Sequence, residues 1–203
     1  MTPVILILAA GQSRRMRGTD KLLEPVAGEA QLRRITRAAV RTGCDVWVTL
    51  PLPGQSNSRH TDRGRVLIGL GVHPVRVADA ATGMAASLRA GAAALPEGRP
   101  VLVVLADLPE ITTEDLMQML AAQQATPDMI LQATDARGHP GHPVLFPPWA
   151  RPGLTGLQGD VGARALLQRH PAQVRAIALP DNHATTDLDT PEDWARWRAA
   201  SES

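Results

Sequence analysis

The run Val4-Ile5-Leu6-Ile7-Leu8-Ala9-Ala10-Gly11-Gln12-Ser13-Arg14-Arg15-Met16-Arg17-Gly18-Thr19-Asp20-Lys21 decides how the chain is read. Val4 to Leu8 is an unbroken series of branched apolar residues with no polar face, which predicts a strand buried on both sides, as in a parallel sheet covered by helices. At Ala9-Ala10-Gly11 the side chains shrink, and a loop rich in Gly, Ser, Arg and Lys follows. Small side chains admit a ligand to the main chain, and glycines at 11 and 18 permit φ > 0, so that amides can converge on an anion. Arg14, Arg15, Arg17 and Lys21 supply positive charge. The expectation is a phosphate cradle at the end of a strand; a basic turn that merely follows a buried strand is the alternative these residues leave open. Neither common phosphate loop fits, because Gly11 and Gly18 are spaced for neither G-x-G-x-x-G nor G-x-x-x-x-G-K-[ST].

Downstream, the pattern predicts an amphipathic helix from Glu29 to Thr42 ended by Gly43, a strand from Asp45 to Leu50, and a polar loop from Pro51 to Ser58. A helix over Arg59 to Leu70 and a strand over His73 to Val77 follow. Strands alternating with helices point to an α/β fold, a mostly parallel mixed sheet with helices on both faces, and such sheets bind ligands beyond the carboxyl ends of their strands. In Ala80-Ala81-Thr82-Gly83-Met84-Ala85-Ala86-Ser87-Leu88-Arg89, a glycine precedes a helix whose first amides and Ser87 would face that groove.

Pro100 to Pro109 is a strand that delivers one carboxylate, Asp107, to its C-terminal end just before a proline turn. A carboxylate there needs a partner, and a hard cation bridging to phosphate oxygens suits it, because Mg²⁺ binds through one or two carboxylates plus substrate phosphates. The alternative is a turn aspartate; Thr112-Thr113-Glu114-Asp115 offers a separate capping box. A helix over Leu116 to Gln124 and a strand over Met129 to Ala133 precede Gly138-His139-Pro140-Gly141-His142-Pro143, a loop entering a strand at Val144 to Phe146. No cysteine or third clustered histidine joins His139 and His142 in a tetrahedral metal site. Gly159-Asp160-Val161-Gly162 opens a helix to about Arg169, either as an anion-holding N-terminus or as a simple Asp160 cap. In Thr186-Asp187-Leu188-Asp189-Thr190-Pro191-Glu192-Asp193, alternation puts Asp187 and Asp189 on one side of an extended segment, and Thr190 caps a helix with Pro191 in its first turn.

Composition narrows the class. A chain of 203 residues fits a single domain over 1–203. Lys and Arg total 21 against 20 Asp and Glu, a net charge of +1, so no overall field argues for nucleic acid or an anionic membrane. Aromatics are 2% of the chain, too few for base-stacking platforms. A single cysteine, Cys44, excludes an intrachain disulfide. The N-terminal apolar run is too short to span a bilayer and has no basic residue before it, so a cytoplasmic protein is expected.

The order Leu-Ala-Ala-Gly, Ser, Arg, Met, Gly, Lys resembles the signature loop of nucleotidyltransferases that activate sugars, isoprenoid precursors and molybdopterin. The run at 83–91, the Gly-His-Pro-Val at 141–144, the Gly-Asp-x-Gly-Ala-Arg at 159–164 and the Asp-x-Asp-Thr-Pro-Glu-Asp at 187–193 follow in the expected order. The chain is thereby identified as a member of the MobA-like nucleotidyltransferase superfamily, most similar to molybdenum cofactor cytidylyltransferases. The segments Pro51 to Arg65 and Pro147 to Gln158 depart from the pattern.

The resemblance implies a three-layer Rossmann-like domain with a nucleotide-binding half over about 1–110 and an acceptor half over about 111–203. It implies Mg²⁺-dependent transfer of CMP from CTP, with GTP second, to the terminal phosphate of molybdopterin, for delivery to a molybdenum hydroxylase. Lys21, Arg14 and Asp107 are the implied catalytic residues, and Asp107 and Asp187 the implied metal ligands, with Asp189 in reserve. Leu8, Ala9, Ala10, Gly11, Ser13, Lys21, Thr82, Gly83, Ser87 and Arg89 would contact nucleotide; His142, Gly159 and Asp160 would contact the acceptor. Another sugar or alcohol phosphate as acceptor, or a carrier that binds the pterin cofactor without chemistry, are the other readings.

Overall fold

A computed structural model of the chain describes residues 1–53, 62–157 and 163–201. The first half contains β1 (Val4–Leu8), the short pair β2 (Pro25–Val26) and β3 (Glu29–Ala30), α1 (Gln31–Val40), β4 (Asp45–Pro51), α2 (Asp62–Val66), β5 (His73–Val77), α3 (Met84–Ala94) and β6 (Val101–Leu105). The second contains α4 (Thr113–Ala125), β7 (Ile130–Thr134), β8 (Pro140–Phe146), α5 (Arg151–Thr155), α6 (Arg164–Arg169), β9 (Val174–Ala178) and α7 (Pro191–Ser201).

Seven strands form one sheet in the order β5-β4-β1-β6-β8-β7-β9. Only β8 runs antiparallel to its neighbours; every other adjacent pair is parallel. This is the expected Rossmann-like α/β architecture. The strand that opens the chain is central, and its last residue, Leu8, is level with Thr49 of β4 and Leu105 of β6. The loops that follow β1 and β6 therefore leave the sheet side by side.

Strand alternation divides the core in two. Ile5 and Ile7 face Leu32 and Ile35 of α1 and Leu116 and Met119 of α4. Val4, Leu6 and Leu8 face Leu88 and Ala92 of α3, Leu154 and Leu166. Gly91 lets α3 lie close on β1, since a Cβ there would sit 2.7 Å from the Leu6 methyls.

Several boundaries differ from the sequence expectation. Glu29 and Ala30 pair with Pro25 and Val26 instead of starting the first helix. α2 ends at Val66, before the expected Leu70, ahead of Gly69 and Gly71, which both take positive φ; Arg59 lies outside the described residues. β8 starts at Pro140, upstream of the expected Val144, beside a register shift in β7 between Gln132 and Thr134. β9 was not anticipated: it is an edge strand with three of five residues exposed, so its apolar pattern is weak. The capping box at Thr112 is present, with Asp115 Nα–H donating to the Thr112 hydroxyl at 3.2 Å and Thr112 Nα–H to the Asp115 carboxylate at 2.8 Å. No helix among the described residues is long and apolar enough to cross a membrane.

Candidate active site

A cleft of about 350 Å³ opens at the carboxyl end of β1 and β6, lined by residues 11–15 and Lys21 of the first loop, the start of α3, Asp107 and Asp189. Residues 9–23 make no long helix. Ser13 and Arg17 adopt left-handed backbone (φ 48° and 49°) on either side of one helical turn, and Asp20 caps a second turn by accepting from Leu22 N–H at 3.1 Å. Met16 is the apolar anchor of the loop, packed with Val26, Leu188 and Trp194. Gly18 takes φ 94°, as expected of it, but Gly11 does not take a positive φ. Gly11 lies on the cleft surface, where a Cβ would meet nothing within 4 Å.

The chemistry concentrates at Lys21. Its ammonium pairs with Asp107 and, at 2.6 Å, with Asp189, and all three side chains are largely buried. Arg15 reaches Asp189 from the solvent side. Burial pushes the Lys21 pKa down most strongly, yet Asp107 and Asp189 together outweigh it and hold the group above its ordinary value. Asp187 is pushed the other way from a normal carboxylate: burial raises it, and the nearby charges of Asp189 and Asp107 raise it further. Two carboxylates thus contact one buried ammonium, with Asp189 rather than the expected Asp187 as the second; Asp187 is not among the residues lining the cleft.

The carboxylates are positioned by groups outside the cleft. Gln31, fully buried at the start of α1, donates to the carbonyls of Ala106 (3.0 Å) and Leu108 (3.1 Å), the two residues flanking Asp107. Glu110 accepts from Thr186 Oγ1 and Trp197 Nε1, each at 2.9 Å, and so ties the segment bearing Asp187 and Asp189 to the loop after β6. His142 N–H donates to Ala184 O at 2.9 Å, and Gly141 passes so close that a Cβ would lie 2.0 Å from that oxygen.

Of the residues singled out from sequence, Leu8, Gly11, Ser13, Arg14, Lys21, Gly83, Ser87 and Asp107 line the cleft. Ala9 and Ala10 lie beneath it, with Ala9 N–H donating to Thr49 Oγ1 at 3.0 Å. Thr82 and Arg89 are not among the lining residues: the Thr82 hydroxyl donates to Asp79 O, and Arg89 is engaged by Leu157 O and the Asp79 carboxylate. His142 sits behind Asp107. Burial lowers its pKa against the pull of that carboxylate, and its Nδ1 has no hydrogen-bond partner among the described residues. Gly159 and Asp160 lie outside the described residues. Gln31, Glu110 and Arg63 were passed over in the sequence. Only Gln31 carried a signal, as a polar residue on the inward face of an amphipathic helix.

Comparison with known proteins places the chain in a family. The chain is 27% identical over 202 residues to nicotine blue oxidoreductase of Paenarthrobacter nicotinovorans, covering 94% of each chain. It is 30% identical over 204 residues to a probable molybdenum cofactor guanylyltransferase of Synechococcus elongatus, covering 93% of this chain and 94% of the relative. Its fold superposes with a TM-score of 0.77 on Rv0371c of Mycobacterium tuberculosis H37Rv in complex with manganese, at 25% identity and 97% coverage of both chains. Residues 5–174 match the MobA-like NTP transferase domain, and the chain belongs to that family, whose chemistry is nucleotidyl transfer.

Proposed function

We propose that the protein transfers CMP from CTP to the terminal phosphate of molybdopterin and releases pyrophosphate, with Mg²⁺ as cofactor and a molybdenum hydroxylase as recipient of the product. The observation that carries the reading is the buried contact of Lys21 with both Asp107 and Asp189 on the wall of a cleft whose other wall is a basic loop.

The carboxylates fit a hard divalent cation in kind and number. Among the described residues, no cluster of three or more His, Cys, Asp or Glu side chains is arranged to hold a metal alone. Two carboxylates with phosphate oxygens completing the shell match how Mg²⁺ is held in phosphoryl-transfer sites. Asp107, with Asp187 or Asp189, would hold it. Bound there, the ion would neutralise charge on the phosphate oxygens and favour departure of pyrophosphate.

The chain's own residues supply position and charge. Lys21, Arg14 and Arg15 offer cations to the triphosphate. Gly83, with φ 111°, starts α3, whose first amides have no partners within the helix and face the cleft beside Ser87. The acceptor is a phosphate monoester, largely dianionic at neutral pH and already nucleophilic, so its attack on the α-phosphorus requires no general base. This agrees with a cleft wall that, among the described residues, presents ammonium, guanidinium and carboxylate groups but no histidine.

The Ala9-Ala10-Gly11 sequence supports CTP through its similarity to cytidylyl-transferring relatives. GTP is the second reading, favoured by the 30% identical relative named as a probable guanylyltransferase. Incubating the protein with Mg²⁺, molybdopterin and each nucleoside triphosphate in turn, and measuring pyrophosphate, tests both. The expected result is release with CTP; release with GTP alone reverses the base assignment. Tight pterin binding without pyrophosphate from any triphosphate makes the protein a carrier.

A further inference from the structure

Arg63 in α2 is fully buried, an unusual place for a guanidinium. Each of its donors is used. Nε donates to Asp20 Oδ2 at 2.7 Å; Nη1 donates to the carbonyls of Ala9 and Gly11, both at 2.7 Å; Nη2 donates to Asp20 Oδ1 at 2.7 Å and to Ser13 Oγ at 3.1 Å. Asp20 Oδ1 also accepts from Ser13 Oγ and Leu22 N–H. One side chain from a distant helix thus fastens the first, middle and last parts of the cationic loop.

What it fastens is the orientation of peptide groups. In a trans peptide, the N–H points opposite to the C=O of the same unit. With the Ala9 and Gly11 carbonyls turned inward to Arg63, the N–H groups of Ala10 and Gln12 are turned the other way, and Gly11 and Gln12 border the cleft. Carbonyl oxygens facing a triphosphate would repel it, whereas amide hydrogens attract it. The Asp20 carboxylate, gripped by the same guanidinium, precedes Lys21 and caps the turn that Lys21 begins.

Resting on the transferase reading, we propose that Arg63 is a positioning residue for the triphosphate: it holds the loop with its carbonyls withdrawn and its amides presented, and it sets the base of Lys21 through Asp20. Arg63 touches no substrate. Lysine cannot replace it, because an ammonium has three donors and lacks the planar fork that spans two carbonyls and a carboxylate.

The test compares four folded variants by calorimetric binding of Mg²⁺–CTP, Mg²⁺–GTP and Mg²⁺–tripolyphosphate, alongside thermal unfolding. Arg63→Lys removes the fork. Asp20→Asn keeps both carbonyl contacts but weakens the pair, and serves if the first variant does not fold. Arg151→Lys is the control for stability: its guanidinium likewise binds the carbonyls of Ala92, Leu95 and Pro96, but at the opposite end of α3. The expected result is a Kd for tripolyphosphate raised about tenfold or more in Arg63→Lys and less in Asp20→Asn, with Arg151→Lys close to the wild type at similar loss of thermal stability. In Arg63→Ala, added guanidinium should restore part of the binding. Wild-type affinity in both Arg63→Lys and Asp20→Asn, or an equal loss in Arg151→Lys, overturns the role of Arg63. Failure of the wild type itself to bind any of the three ligands overturns the transferase reading and this proposal with it.

Discussion

The cationic wall of the cleft comes from one continuous run, Gly11 to Lys21, whereas the acidic wall is assembled from the loop after β6 and a segment near the C-terminus. Both walls are secured in the same manner, by a buried polar side chain that binds carbonyls two residues apart: Arg63 for Ala9 and Gly11, Gln31 for Ala106 and Leu108. They differ in what else they depend on. The cationic wall has α2 behind it and Met16 packed against Val26, Leu188 and Trp194. The acidic wall also needs β8, Gly141 and Glu110 to bring Asp187 and Asp189 back to β6.

The sharpest way to break the comparison is Asp107→Asn, which removes charge from the acidic wall while keeping its shape. Its transfer rate, measured as pyrophosphate release, should fall by about 10²–10⁴. A folded variant with an unchanged rate would remove Asp107 from the site. Lys21→Met acts on the ammonium that joins the two walls, and the rate should fall by about 10²–10³. The same change leaves Asp107 and Asp189 with less positive charge beside them, so Mn²⁺ added without nucleotide should bind more tightly than to the wild type. Weaker Mn²⁺ binding would show that Lys21 does not compete for these carboxylates.

Gly141→Ala tests the scaffolding alone. A methyl 2.0 Å from Ala184 O forces backbone apart, with an expected loss of about 2–3 kcal/mol in chemical denaturation and a lowered transfer rate. Full activity in that variant would mean the acidic segment is held independently of β8. The smallest effect is at α7, where the Thr190 hydroxyl and Arg196 hold the Asp193 carboxyl down to about 2. Thr190→Ala should cost about 1 kcal/mol, with activity retained. A carboxylate with a depressed native pKa contributes stability above its unfolded value, near 4, and loses it as the pH falls toward 2. The stability difference between wild type and Thr190→Ala should therefore be largest at neutral pH and shrink across that window. A constant difference would assign the effect to packing.

The central strand and the basic loop were legible because their information is local: an apolar run, abrupt small residues, then charge. Asp107 was legible for the same reason, as the single carboxylate at the end of an apolar strand. Arg63 was not, since nothing in Asp62-Arg63-Gly64-Arg65 distinguishes the arginine that is buried from the one at 65 that is exposed. Glu110 is likewise ordinary until the fold brings Thr186 and Trp197 to it. The β9 strand was missed because an exposed edge imposes little pattern on its sequence. Arg89, expected at the nucleotide from a motif match, bonds Leu157 O and the Asp79 carboxylate.

The ammonium of Lys21 lies between two carboxylates, and under the proposed reaction this would make the cleft a coincidence detector. A lone divalent ion arriving there must contend with a cation already in contact, and a lone polyanion must draw Lys21 away from two anions. An ion and a polyanion that arrive as a pair give each displaced group a new partner in a single exchange of contacts. On the proposed transfer reaction, discrimination against free metal and free nucleotide would then rest on the protein's own electrostatics before any substrate is recognised by shape.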